Sequence, residues 1–372
     1  MLLTMKLSDI QHMLEQWAPP ATAWKGDNVG LQVGSHNAGI VNILLALDVT
    51  MEVAKEAAQR RANLIITHHP LLFHPLRSLT SNSRTGEIAL YLAEQKINLF
   101  AAHTNLDSAP GGVNFVLAEL LGLKNVSVLS PLTDSMMKIV VFVPKEHLDR
   151  VAAAMHSAGA GAFTKYEECS FRTEGVGTFR GTHEANPFIG TKGILEIVPE
   201  IKLEMIVPSW KLSGVVSAML NAHPYEEAAY DIIPLKNHAQ NIGLGAIGDL
   251  PNIMTRDTFL SMTKRKVNTE VLRYSGRINR IQRVAVCGGA GSELIADAIQ
   301  KGADAFVTAD VKYHTFQDAE RGILLVDAGH FETEHHVIPA IEHRVKKFLK
   351  ESKSSSKVFV TKHKTNPVSY YY

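Results

Sequence analysis

Cysteine is scarce: only Cys169 and Cys287 occur in 372 residues. They lie far apart and outside any CxxC spacing, which argues against a disulfide framework and a thiolate zinc site. An excess of one charge is lacking as well, since 38 basic residues face 37 acidic ones. No bulk field therefore steers the chain toward nucleic acid or anionic lipid, and no basic stripe offers a nucleic-acid interface. No apolar run reaches the roughly 18 residues of a membrane span. Lys6, Asp9 and Glu15 interrupt the N-terminal stretch where a signal peptide needs an unbroken apolar segment. The GxxxxGKS/T phosphate loop is missing, which excludes a P-loop GTPase. The expectation is a soluble cytoplasmic protein with no membrane or nucleic-acid partner.

Histidine, by contrast, is plentiful at 17 residues, and two of them end the segment Asn63-Leu64-Ile65-Ile66-Thr67-His68-His69-Pro70. Four apolar or β-branched residues before a His-His pair read as a buried strand that delivers two imidazoles, with Pro70 stopping the ladder. Side chains alternate along a strand, so His68 and His69 are expected on opposite walls of one site. The plain alternative is one imidazole in the core and one in solvent.

An apolar 45% and this length allow two or three domains. Ser8 to Trp17 reads as a helix capped by Ser8, and Gly26 to Gly34 as a loop running into a strand, where Asp27 and Asn28 serve a turn or a ligand. Val41 to Leu47, Thr50 to Arg61 and Leu64 to Thr67 make a βαβ unit. A second unit spans Arg283 to Asp310. A shift of 241 positions places Thr67 on Thr308 and His68-His69 on Ala309-Asp310, the pattern of a duplicated half-domain. Each half adds a further strand with a polar end, at Ile97 to Asp107 and at Ile323 to Glu334. Ligands of open α/β sheets gather at such carboxyl ends.

Between the halves, strands and helices from Met137 to about Leu235 follow the βαβ-βαβ order of a ferredoxin-like sandwich, with Gly175-Val176-Gly177 as a connection between its central strands. The expected fold class is thus α/β: a duplicated metal-binding domain (1–133 with 237–372) carrying an inserted ferredoxin-like α+β domain (134–236). Val358 to Thr361 is expected to add an edge strand.

His330 and Glu334 are four apart after Gly329, so a helix starting near His330 sets both on one face, one turn apart. Asp107 adds a second carboxylate. Three imidazoles and two carboxylates from three strand ends suit a pair of divalent first-row ions about 3.5–4 Å apart. His103 stands beside the site as a candidate substrate or supporting group. His74 is a weaker candidate, Asp310 and His314 are candidate substrate contacts, and His335 and His336 are expected in solvent.

Gly26-Asp27-Asn28-Val29-Gly30-Leu31, Thr67-His68-His69-Pro70, His103-Thr104-Asn105-Leu106-Asp107 and Gly329-His330-Phe331-Glu332-Thr333-Glu334 together resemble the NIF-three-like family, whose members are known as GTP cyclohydrolase 1 type 2 homologues. The resemblance covers nearly the whole chain. It implies a dinuclear site of zinc, iron or manganese held by His68, His69, Asp107, His330 and Glu334, and a ring-shaped homohexamer. It also makes the insert similar to PII and CutA proteins, including the stretch Ala222-His223-Pro224-Tyr225-Glu226-Glu227-Ala228, where the family usually has proline at Ala228. The implied function is hydrolytic attack by a hydroxide on the metal pair upon GTP or a related small molecule, with Glu334 and His103 moving protons. The rival expectation is a non-catalytic metal-binding or regulatory protein whose insert binds an effector or partner.

Overall fold

The computed structural model describes residues 5–163, 165–239, 241–320 and 322–371; positions 1–4, 164, 240, 321 and 372 of the expected domains lie outside them. The chain divides into two compact units, Met1–Ser130 with Asn241–Tyr372, and Pro131–Gln240. The strands run in chain order as β1 (Gly30–Val33), β2 (Asn42–Ala46), β3 (Leu64–Thr67), β4 (Asn98–Ala101) and β5 (Lys124–Pro131). In the inserted unit they are β6 (Met136–Pro144), β7 (Phe171–Arg180), β8 (Leu195–Pro208) and β9 (Tyr230–Leu235). The large unit resumes with β10 (Gly243–Met254), β11 (Arg273–Ser275), β12 (Ile281–Ala290), β13 (Ala305–Ala309), β14 (Leu324–Asp327) and β15 (Lys357–Val360).

The large unit holds two sheets, ordered β1-β4-β3-β2-β15 and β11-β14-β13-β12-β10-β5. In each, three parallel strands are edged by an antiparallel one: β2, β3 and β4 by β1, and β12, β13 and β14 by β11. The halves repeat even in register, since Ile43 faces Leu64 and Val284 faces Ala305, each pair related by the same shift of 241. The expected edge strand exists as β15, parallel to β2.

Burial on both faces explains why these strands are apolar without alternation. In the first sheet Ile43, Leu45, Leu64 and Ile66 pack under helices Leu7–Trp17 and Ile338–Glu351, while Leu44, Ile65 and Leu99 meet helices Met51–Gln59 and Arg84–Glu94. The last two helices start at Thr50 and Ser83, whose hydroxyls accept the Val53 and Gly86 N–H groups. The N-terminal helix is not capped by Ser8; Lys6 occupies that position and Asp9 accepts its N–H at 2.9 Å.

The inserted unit is a four-stranded antiparallel sheet, ordered β7-β8-β6-β9, with helices Leu148–Ser157 and Leu212–Ala222 packed on Met155, Leu203 and Met219. Gly175 and Gly177 do not form a connection. They lie inside β7, where a Cβ on Gly177 would come within 2.1 Å of Glu200 Oε2, so Gly177 marks a close approach rather than a turn. Among the described residues, no helix is long and apolar enough to cross a membrane.

Candidate metal centre

Strand β3 ends at Thr67, and the chain turns instead of extending the pleat. The backbone N–H groups of His68 and His69 both donate to the Leu47 carbonyl, at 3.1 and 3.0 Å. The expected divergence to opposite walls therefore fails, because alternation requires strand geometry that these residues have left. Their rings share one region, with centroids 4.9 Å apart. The ring of His103 lies 5.3 Å from that of His68, and the ring of His330 lies 5.2 Å from that of His69.

All four imidazoles are anchored through Nδ1. His68 donates to the Ala102 carbonyl at 2.8 Å, His69 to Asp48 at 2.7 Å, His103 to Asp27 at 2.8 Å and His330 to Asp310 at 2.6 Å. A ring that donates from Nδ1 turns Nε2 the other way, the arrangement by which outer acceptors orient metal-binding histidines. The Nε2 atoms of His68, His69 and His330 converge on two carboxylates, Asp107 and Glu334. Helix His330–Glu334 starts where the i, i+4 spacing requires, placing His330 Nε2 3.2 Å from Glu334 Oε2. His69 Nε2 lies 2.9 Å from the same oxygen. His68 Nε2 stands 3.6 Å from Asp107 Oδ1 and 3.7 Å from Glu334 Oε1.

Among the described residues, two groups have ligand atoms within 4.8 Å of one another: His68 with His69 and His103, and His69 with His330 and Glu334. Asp107 belongs to neither but borders both. Buried His68 Nε2 and Asp107 Oδ1 lack an aligned hydrogen bond. Such orphaned groups cost about 1–3 kcal/mol each. The donor set of imidazole nitrogen and carboxylate oxygen fits a first-row divalent cation, which would satisfy both.

Burial opposes charge on His69 and His330, but hydrogen bonds to carboxylates win and lift them to about 9 and about 10, Asp48 and Glu334 acting on the first and Asp310 and Glu334 on the second. Burial pushes Asp107 up to about 6. It pushes Glu334 upward too, yet the surrounding imidazoles hold that carboxyl well below its ordinary range. Without a cation, protons on histidine balance the buried carboxylates; metal takes over that role by displacing them.

Glycine makes room for Glu334. At Gly289, with φ +61, a Cβ would sit 2.2 Å from Glu334 Oε1. Its N–H donates to Thr333 Oγ1 at 3.0 Å, and the Gly288 N–H to Asn114 Oδ1 at 2.9 Å, tying the end of β12 to helix His330–Glu334 and to helix Val113–Leu121.

Asp27 accepts from His103 and from the Thr104 hydroxyl and N–H, so its place is beneath an imidazole rather than in a turn alone. Asp310, expected as a substrate contact, is exposed and accepts from His330, and Asp48, which sequence reasoning missed, holds His69 and accepts from Thr365 at 2.8 Å. Its signal was a carboxylate just past the end of β2. A second missed signal is a repeated His-x-x-x-carboxylate: His103 and Asp107 follow β4 as His330 and Glu334 follow β14. His335 and His336 are half-buried, not solvated. The first donates to the Phe331 carbonyl at 2.9 Å and stacks on its ring, and the second reaches the Val267 carbonyl at 3.4 Å. His74 and His314 are exposed. A cavity of about 480 Å³ flanks the cluster, lined by His69, His330, Arg273, Phe331 and Tyr370 among others.

Residues 5–367 match the family model described as Duf34/NIF3 (NGG1p interacting factor 3). A Halalkalibacterium halodurans protein named GTP cyclohydrolase 1 type 2 homolog is 41% identical over 96% of this chain and 97% of its own length. A Bacillus subtilis protein of the same name is 39% identical over 97% of each. The crystal structure of a Bacillus cereus protein related to NIF3 superposes with a TM-score of 0.86 at 38% identity, covering 99% of this chain and 100% of the other.

Proposed function

The chain belongs to the DUF34/NIF3 family, and we propose that it is a metal-dependent hydrolase of the kind its relatives' name describes, acting on GTP or a related nucleotide. The observation that carries this reading is the convergence of three Nδ1-anchored imidazoles, His68, His69 and His330, on the carboxylates of Asp107 and Glu334 beside a cavity, with His103 next to them. His68, His69, Asp107, His330 and Glu334 would hold two divalent ions, zinc, iron or manganese. Bound there, such ions supply Lewis acidity and lower the pKa of water to about 7.

The chain's own groups do the rest. Asp27 accepts a hydrogen bond from His103 Nδ1–H, which leaves Nε2 of that ring free to accept a proton from the attacking water and return it to the leaving nitrogen. Glu334, kept anionic, orients His69 and His330 and is the second candidate for proton transfer. Phe331 and Tyr370 give the adjoining cavity apolar surface for a planar base. The same reading makes the insert PII/CutA-like, supported by its strand order, and the working form a cytoplasmic ring-shaped homohexamer, which sedimentation would test.

Metal-reconstituted protein incubated with GTP, other nucleotides, pterins and phosphoesters decides the matter. Formate release from GTP, or turnover of one related compound, is the expected result. Full metal occupancy with no turnover of any would leave the second reading, a non-catalytic metal-binding or regulatory protein, which the separate cavity in the insert favours.

A further inference from the structure

The stretch Ala222 to Ala229, which the metal chemistry does not use, lines a cavity of about 890 Å³ in the inserted unit together with β7 and the loop after it. That volume lies in the range of small-molecule sites, roughly 300–1,000 Å³. We propose that this cavity binds an organic ammonium ion, and the inference is independent of the metal centre.

Four aromatic residues line it, Phe142, Phe179, Phe188 and Tyr225, and Tyr225 has Phe179 at 6.0 Å and Phe188 at 6.3 Å, centroid to centroid. Tyr225 is held in place by His223, a buried ring whose Nε2 donates to the Phe142 carbonyl at 2.9 Å, so that its Nδ1 accepts the Tyr225 N–H at 3.1 Å. The Tyr225 hydroxyl is shut off from solvent beside Glu200 without an aligned hydrogen bond. Gly177 leaves the space that the Glu200 carboxylate fills. Five glutamates line the cavity against Arg180 and Lys202, and Lys202 is engaged by Glu204 at 3.0 Å. Ring faces and carboxylates together attract a cation with an apolar shell, while an anion would meet repulsion. A neutral ligand of equal shape would gain only the apolar contact.

Calorimetric titration of the full-length, metal-loaded protein with choline and with spermidine tests the proposal, against 3,3-dimethylbutan-1-ol, the neutral isostere of choline, and against citrate. Saturable one-to-one binding of at least one ammonium ion is expected, with the alcohol and citrate at least about 10-fold weaker. Glu200→Gln and Phe188→Ala should each weaken the ammonium ion by about 10-fold. Phe188 is 55% exposed, so its removal leaves the fold intact and keeps the test decisive even if the Glu200 variant does not fold. Absence of ammonium binding, equal affinity for the alcohol, preference for citrate, or full affinity in a folded variant would overturn the proposal.

Discussion

His69 Nε2 and His330 Nε2 meet at 3.2 Å although 261 positions separate them, and Glu334 Oε2 lies within 3.2 Å of both. Each imidazole leans on its own half's carboxylate, Asp48 or Asp310. The cluster is therefore the seam between the two copies of the repeat.

Proton release should accompany metal uptake. His69 and His330 have pKa values raised to about 9 and about 10, so in the metal-free protein both are charged near pH 7, whereas a ligating imidazole must be neutral. Zinc affinity should rise from pH 6 to about pH 9 and level off near pH 10. Adding zinc to metal-free protein in weak buffer near pH 7 should acidify it, and an affinity independent of pH across that range would contradict the assignment.

Asp107→Ala should lower metal content well below wild type by elemental analysis. The Asp107 carboxylate is buried, and its Oδ1 faces His68 without a hydrogen bond of its own. Unchanged occupancy would remove it from the ligand set.

Asp27 should stabilise the fold in a pH-dependent way. Burial works to raise its pKa, but hydrogen bonds from His103 and Thr104 outweigh this and lower it from 3.8 to about 2. A depressed carboxyl contributes stability above its unfolded pKa and loses it as pH falls through the folded value. Asp27→Asn should thus cost about 2 kcal/mol above pH 4, a penalty that fades toward pH 2. Parallel denaturant titrations of both proteins would show this, and a gap constant over that interval would count against it.

Gly289→Ala should disturb Glu334 without replacing a proposed ligand. The new methyl would meet Glu334 Oε1, and a left-handed φ of +61 adds backbone strain of about 1 kcal/mol. Reduced metal content with a modest loss of stability is expected. Full metal content would show that the carboxylate can move aside.

Excision of the insert should be tolerated. Strands β5 and β10, which flank it in sequence, are neighbours in one sheet. Replacing roughly residues 134–236 by a short Gly/Ser bridge turns that connection into an ordinary loop and should leave a folded, metal-binding protein. Circular dichroism and metal analysis would report success; an insoluble product would refute the autonomy of the larger unit.

Much of this was legible in the sequence. Leu64 to Thr67, Asn98 to Ala101 and Leu324 to Asp327 are buried along their length, so they announced themselves as apolar runs with polar ends. The separation of His330 and Glu334 gave their shared face. What escaped depended on distant partners. The turn that swings His68 and His69 together is set by the Leu47 carbonyl, about twenty residues away. Asp27 and Asp48 lie outside the strands, where aspartate is common for local reasons, and only tertiary contact reveals them beneath histidines. Gly175 and Gly177 have the composition of a turn, but both lie inside a strand, and Glu200 on the neighbouring strand accounts for Gly177.

The repeat has a further consequence. A half-length ancestor with one copy of this fold would have needed two identical chains, and therefore two equivalent cation positions, to build such a cluster. Joining the copies in one chain released each position to diverge. Position 69 now carries imidazole where its counterpart, 310, carries carboxylate, and position 68 carries imidazole where 309 carries alanine. The five proposed ligands accordingly do not form two identical sets. Were two cations to bind them, unequal donors would give unequal affinities, so the cations would load in sequence and one position could favour a different metal from its neighbour.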